Sequence, residues 1–217
     1  MGFETQGQTP SPKNTWICEK ETVIVDSPFM AMHKKDCRSS EDGRKHQFYF
    51  FKSRNWCNII PVTEDGKIVM IRQFRIGIDQ HTLEVPGGVT DPSDQNTQEA
   101  AIREMTEETG YVPLPGAKCL DLGWTHPNPA IMDNTCHSFI VGPVKKERNQ
   151  KLDHGEMIEV FELDLEEFAE MVLKGQVTHA LMLNAFFFLM LHSENGKKVL
   201  VDQLKQFTKL TPDLSKA

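Results

Sequence analysis

The 217-residue sequence lacks the features that mark secreted and metal-ribbon proteins. Its cysteines are five in number and form no C-x-x-C pair, which argues against a disulfide framework and against a zinc ribbon. The first 14 residues are polar and contain no apolar segment of the kind found in a signal peptide. These absences predict a reduced, cytoplasmic protein.

Long hydrophobic runs and an excess of basic charge are also missing. The most apolar stretch, 180–191, is interrupted by Asn184 and is shorter than the roughly 20 residues that span a bilayer. Lysine and arginine total 24 against 31 aspartates and glutamates, a net charge of −7 that disfavours a nucleic-acid surface. No P-loop, G-x-G-x-x-G or G-x-S-x-G motif occurs. We therefore expect neither a membrane nor a nucleic acid as partner.

The apolar pattern predicts strands first and helices later. Asp65-Gly66 lies between the apolar segments 59–62 and 67–71, which predicts a β-hairpin. Upstream, 22–25 and 47–51 are typical strands, and the charged segment 34–45 between them is predicted to be a turn.

A capped helix is predicted from Asn96 to Thr109, since Asn96 and Glu99 have capping-box spacing and Gly110 follows as a stop. Later strands are expected at 136–141 and 159–163, and later helices at 164–175, 178–192 and weakly within 193–217. This order predicts an α+β fold, with a mixed sheet sandwiched between helices and a small N-terminal β-element.

The expected organisation is a flexible lead-in (1–15), the N-terminal β-element (16–55), one main domain (56–192) and a C-terminal extension (193–217). The β-element is apolar and too small to be stable alone, so we expect it to be covered. The residues leave open whether a partner or its own domain covers it.

An acidic helix is the most informative feature. Glu104 and Glu108 are four residues apart and share one face, with Glu107 on the flank. Such a helix is by itself more often a solvated surface, but Gly87-Gly88 upstream allow close backbone approach to a ligand. Hard oxygen ligands of this kind suit Mg²⁺ or Mn²⁺, with substrate phosphates completing the coordination.

The segment from Gly88 to Tyr111, GVTDPSDQNTQEAAIREMTEETGY, resembles the box of the Nudix hydrolases, G-x5-E-x7-R-E-U-x-E-E-x-G-U with U aliphatic. The second half matches except for Tyr111 at the last position. In the first half, Asp94 replaces glutamate and eight residues instead of seven precede Arg103. The resemblance implies a Nudix fold and metal binding through the Gly87 carbonyl, Glu104, Glu107 and Glu108.

Residues outside the box are similar to the ADP-ribose pyrophosphatase branch of that family. They are the R-Q-F-R and L-E-V-P-G-G segments, which contain Arg75 and Glu84, and Pro127, 16 residues past Tyr111. The resemblance implies that Arg75 meets a phosphate and that Glu84 contacts the substrate or braces the site. Arg103 is spaced to pair with Glu107 and with Glu99, and it completes the candidate substrate-side residues.

The branch also places a mobile loop with a catalytic glutamate near 153–159. Glu156 is the preferred general base, and an alternative register puts His154 there. Glu108 is the other candidate catalytic residue. The spacing of His126, His137 and His154 matches no zinc pattern, and the aromatic residues at 48–51 are more typical of core than of base stacking.

The resemblance implies Mg²⁺- or Mn²⁺-dependent hydrolysis of ADP-ribose or another nucleoside diphosphate sugar, by a homodimer in which the N-terminal β-element is exchanged or packed across the two-fold axis. The products would be a nucleoside monophosphate and a sugar phosphate. Two alternatives stay open. The substrate could be a dinucleoside polyphosphate, coenzyme A or a nucleoside triphosphate, or the altered box could belong to a nucleotide-binding module without turnover.

Overall fold

The computed structural model describes residues 15–210, with side chains described as far as residue 202. Its strands are β1 (Trp16–Val25), β2 (Met30–Ser39), β3 (Lys45–Ser53), β4 (Trp56–Thr63), β5 (Ile68–Arg75), β6 (Gln80–Glu84), β7 (Gly87–Val89), β8 (Tyr111–Thr125), β9 (Cys136–Lys146) and β10 (Ile158–Leu163). Its helices are α1 (Thr97–Thr109), α2 (Leu165–Leu173), α3 (Ala180–Leu191) and α4 (Glu194–Leu210). The predicted lead-in falls outside the described residues except for Thr15, as do residues 211–217 of the extension.

The described residues form two compact units. The N-terminal unit comprises 15–54 together with 128–134, and the main unit comprises 55–127 together with 135–210. The N-terminal unit is an antiparallel sheet in the order β1-β2-β3. The segment 128–134 joins it through the Phe51 N–H, which donates to the Ile131 carbonyl at 2.7 Å.

The predicted turn over 34–45 is wrong, because β2 continues to Ser39. The charged side chains of β2 form ion pairs with neighbouring residues of the sheet. Lys35 lies 3.8 Å from Glu21 on β1, and Lys34 lies 3.4 Å from Asp36 on β2. Ion pairing between adjacent positions lets a strongly charged segment form a central strand.

The main unit contains a mixed sheet with the strand order β10-β5-β4-β9-β8, to which β6 adds beside β5 and β7 beside β4. The β4–β9 pair is parallel, and the other pairs are antiparallel. Neighbouring residues on the central strands point to opposite faces, as strand geometry requires. Ile60 and Met70 pack in the core on the side of α2 and α3, whereas Ile59 and Val69 pack on the side of α1. The predicted α+β fold with a sheet between helices is confirmed.

Local signals in the sequence determine the β4–β5 turn and both ends of α1. Gly66 has φ 87° in the β4–β5 turn. The Asn96 side chain accepts the Glu99 N–H at 2.9 Å where α1 begins, and Gly110 ends that helix with φ 77°. α2 ends at Leu173 with Lys174 as its cap, and the predicted stop, Gly175, follows with φ 70°. None of the helices in the described chain is both long and apolar enough to cross a membrane.

Candidate active site

Helix α1 turns its acidic residues toward the protein. Glu108 is only 2% exposed, and the side chains of Glu104 and Glu107 are 15% and 33% exposed. A solvated acidic face would leave all three carboxylates in water. Two of them are instead desolvated, which is costly unless the charge is compensated.

Strand β7 supplies the backbone against which these carboxylates lie. Gly87 and Gly88 pair with Asn58 and Cys57 on β4. The Gly87 N–H donates to Glu108 Oε2 at 2.8 Å. A Cβ atom on Gly88 would lie 2.6 Å from Glu104 Cδ, so glycine at this position lets the Glu104 carboxylate lie against the backbone of β7.

The guanidinium group of Arg103 binds three carboxylates. It binds Asp94 through two hydrogen bonds of 3.0 Å, and it donates to Glu104 and to Glu107 at 3.0 Å each. Asp94 therefore contacts Arg103 despite its shorter side chain and the extra residue in its loop. The Arg103–Glu107 pair predicted from the spacing is present. The predicted Glu99–Arg103 pair is wrong, because Glu99 instead accepts the Gln95 N–H at 2.8 Å and completes the cap of α1.

The electrostatics of the two inner carboxylates favour a bound cation. Burial raises the pKa of Glu108 well above its usual value, and the charges of Glu104 and Glu156 raise it further. Burial also raises the pKa of Glu104, against the opposing charge of Arg103, and Glu107 and Glu156 add to the increase. Ionising both carboxylates at neutral pH would need a compensating positive charge.

The donor set fits a hard divalent ion. Glu104, Glu107, Glu108 and the Gly87 carbonyl offer only oxygen ligands, the type that Mg²⁺ and Mn²⁺ prefer. In the part of the chain that the structure describes, no three acidic, histidine or cysteine side chains converge on one point. Arg103 binds Glu104 and Glu107 directly, so these two would have to exchange that partner for a metal.

Arg75 and Glu84 form a second, rigid part of the site. Arg75 donates to both Glu84 oxygens at 2.7 Å, and the Thr82 hydroxyl donates to the same carboxylate. Burial opposes ionisation of Glu84, but the bonds and charge of Arg75 outweigh it and hold the pKa of Glu84 below its usual value. The Arg75 side chain is 40% exposed, which leaves it accessible to an anionic ligand. Its charge also acts on Glu108.

The loop before β10 carries the candidate bases. The charge of Glu156 acts on Glu104, Glu108 and Arg75, and the His154 side chain is exposed. The Glu156 carboxylate accepts the Asp153 N–H at 2.9 Å. Both residues stay candidates for the general base, and the electrostatic influence on the acidic helix favours Glu156.

Three contributors to the site were absent from the sequence predictions. Thr82 and His179 support Glu84, His179 with its Nε2 atom 3.8 Å from the carboxylate. Gln150 donates to the Glu108 carbonyl at 2.6 Å and to the Ile158 carbonyl at 3.1 Å, which fixes both ends of the Glu156 loop against α1. No sequence motif predicts these three residues. Their contacts join positions that are distant in the sequence or that belong to no recognised pattern.

Comparison with known proteins agrees with this geometry. Residues 53–186 match the NUDIX domain family. An ADP-ribose pyrophosphatase of Bacillus subtilis is 30% identical over 134 residues, covering 61% of this chain and 70% of that enzyme. A mouse ADP-sugar pyrophosphatase is 28% identical over 120 residues, covering 52% and 54% of the two chains. The crystal structure of an ADP compounds hydrolase superposes with a TM-score of 0.69 at 19% identity, over 82% of this chain and 92% of that chain, and shows the shared fold.

The chain therefore belongs to the Nudix family, whose box lies across β7 and α1. It is a Nudix-type pyrophosphohydrolase, similar in sequence to the ADP-ribose pyrophosphatase branch. Both the family and the branch resemblance predicted from the box and its flanking motifs are confirmed.

Proposed function

We propose that the protein hydrolyses the diphosphate linkage of ADP-ribose or another nucleoside diphosphate sugar in the presence of Mg²⁺ or Mn²⁺. The observation that carries this proposal is the buried Glu108 and the largely buried Glu104 against the β7 glycines, with the braced Arg75 acting on Glu108. The names of the Bacillus subtilis and mouse relatives support the substrate class.

Each residue then has a defined task. Glu104, Glu107, Glu108 and the Gly87 carbonyl would hold the metal, and a bound divalent ion supplies the positive charge that polarises the diphosphate and acidifies a water. Arg75, fixed by Glu84, orients and neutralises a phosphate oxygen. Glu156, or His154 in the alternative register, takes the proton of the attacking water. The phosphorus–oxygen bond to the bridging oxygen breaks, releasing a nucleoside monophosphate and a sugar phosphate.

A product assay tests the substrate class. The protein is incubated with Mg²⁺, with Mn²⁺ or with a chelator, and with a panel of nucleoside diphosphate sugars, dinucleoside polyphosphates, coenzyme A and nucleoside triphosphates. Metal-dependent release of monophosphate and sugar phosphate is expected to be fastest for a nucleoside diphosphate sugar. If another member of the panel is hydrolysed faster, the proposed substrate class is wrong and that compound replaces it.

A binding module without turnover is the second candidate, favoured by Asp94 and the extra loop residue. In the structure Asp94 binds Arg103, which supports a folded box rather than a degenerate one. Calorimetric binding of ADP-ribose without any product in Mg²⁺ or Mn²⁺ would favour the module. Binding together with product release would favour the enzyme.

We also propose a cytoplasmic homodimer. The support for the compartment is the set of five free thiols, which suits a reducing environment. The support for the dimer is the apolar surface of the N-terminal unit, where Val23, Val25 and Phe29 are 53%, 57% and 77% exposed.

A further inference from the structure

Cys18 and Cys37 face each other across the first two strands of the N-terminal unit. They are directly opposite in the antiparallel register of β1 and β2. The Cα atoms of such partners lie about 4.5 or 5.5 Å apart, depending on the hydrogen-bond pattern. Both values fall within the roughly 4.4–6.8 Å that a disulfide spans, and opposite side chains project from the same face.

The two thiols also differ in access. Cys18 is exposed, whereas Cys37 is 5% exposed. Burial raises the pKa of the Cys37 thiol, and the adjacent Cys18 raises it further as a charge and as a hydrogen-bond partner, so the side chains interact. One thiol is therefore open to a reagent in solution, and the second is placed to react with the first.

None of the other three cysteines has a cysteine directly opposite it, although Cys57 and Cys136 influence each other from diagonal positions on β4 and β9. In their sheet registers Cys57 faces Gly88 and His137, Cys119 faces Val141, and Cys136 faces Trp56 and Thr125. A directly opposite pair of cysteines therefore occurs in β1 and β2, and not in the strands that hold the other three cysteines. A register shift follows Cys18 directly, between Cys18 and Lys20, and such an irregularity gives the strand room to adjust to a crosslink.

We propose that Cys18 and Cys37 form a redox modification site, which low-molecular-weight disulfides of the glutathione class convert into a reversible intrachain disulfide. The Cys18 thiolate attacks glutathione disulfide, forms a mixed disulfide and releases one glutathione thiolate. The Cys37 thiolate then attacks the Cys18 sulfur and displaces the second glutathione. The protein dithiol loses two electrons and two protons, and glutathione disulfide becomes two glutathione molecules.

The test uses the full-length protein, reduced and then incubated with glutathione disulfide, with the products trapped by acid and alkylation. In a sample quenched with acid alone, the intact mass should fall by two hydrogen atoms. In the alkylated sample, a non-reducing peptide map should link the Cys18 and Cys37 peptides until dithiothreitol separates them. The oxidised protein should also unfold at a higher temperature than identically treated Cys18→Ser.

Matched variants separate the two steps. Cys37→Ser, with Cys37→Ala as a second version, should accumulate one glutathione on Cys18. Cys18→Ser should form neither product, and Cys119→Ser should behave like the wild type. A wild-type protein that ends as a Cys18 mixed disulfide, as a dimer linked through Cys18, or with another cysteine pair joined would overturn the proposal. The wild-type peptide map decides the matter even if a Cys37 variant does not fold.

Discussion

Gly88 on β7 and Glu104 on α1 are in contact so close that any added side-chain carbon would overlap the carboxylate. A Cβ atom at Gly88 would lie 2.6 Å from Glu104 Cδ and 2.7 Å from Glu104 Oε1. The second glycine of the Val85-Pro86-Gly87-Gly88 segment thus fixes where the acidic helix presents this carboxylate.

Gly88→Ala should displace the Glu104 carboxylate and lower kcat by roughly tenfold or more, since an error of about 1 Å in a catalytic group can cost on the order of 10²-fold. The overlapping atoms are the end of a flexible side chain, so the thermal midpoint should change little. Gly77→Ala is the matched control, because a Cβ atom there would meet nothing within 4 Å. Equal activity of the two variants would show that Glu104 need not hold its position.

Glu108→Gln should reduce turnover by about 10²–10⁴-fold through loss of charge stabilisation in the transition state. Stability at neutral pH should stay level or rise, because burial disfavours the charged carboxylate and glutamine still offers an acceptor to the Gly87 N–H. Rates with Mg²⁺ and thermal midpoints are measured for this variant and for Glu159→Gln, whose side chain is 72% exposed. Near-native turnover of Glu108→Gln would remove Glu108 from the metal ligands.

The features that the sequence could predict depend on neighbours a few positions apart. Asn96 and Glu99 cap α1, Gly110 ends it, and Gly66 forms the hairpin turn, because each conformation is set by local hydrogen bonds or by φ. The spacing of Glu104 and Glu108 likewise follows from helix geometry.

Features that depend on distant partners were not predictable in the same way. Strand β2 is stabilised by β1 and β3 despite its charge, and Gln150 finds its two acceptors only when β10 reaches α1. Strand β8 contains Pro113 at a register shift, and its pairing with β9 overrides the low strand propensity of proline. The predicted Glu99–Arg103 pair does not form, because Arg103 instead binds Asp94, which lies nine residues before it in the sequence.

Glu156→Gln should lower kcat while the affinities for metal and substrate change little, because it removes only a proton acceptor. His154→Ala should have a milder effect, since the charge of Glu156 acts on Glu104 and Glu108. The pH–rate profiles of both variants are compared with that of the wild type. A larger loss from the histidine change would assign the base to His154.

Thiol reactivity should differ sharply between the cysteines. Burial raises the pKa of Cys57 and of Cys136 to about 12, so at pH 8 only about 10⁻⁴ of each would be thiolate, the reactive form. Because burial raises both pKa values, the two thiols stay protonated across the physiological pH range. They form the reactive thiolate only as the pH rises toward those values. Mapping of iodoacetamide adducts at pH 8 should find Cys18 labelled first and both buried thiols protected until denaturant is added. Early labelling of Cys57 or Cys136 would contradict this assignment of burial.

Dimerisation is expected from the N-terminal unit. Its three-stranded sheet leaves Val23, Val25 and Phe29 more than half exposed, and a sheet of this size is only marginally stable without a covering partner. A two-fold axis through this surface would bury those side chains on both copies at once. Sedimentation at low micromolar concentration should therefore give about twice the 24.7 kDa of the chain.

Val23→Asp should shift the species toward monomer, and Val201→Asp, at a 46% exposed position on α4, should not. Activity that falls on dilution together with the dimer would indicate that assembly completes the site, whereas a fully active monomer would contradict the dimer.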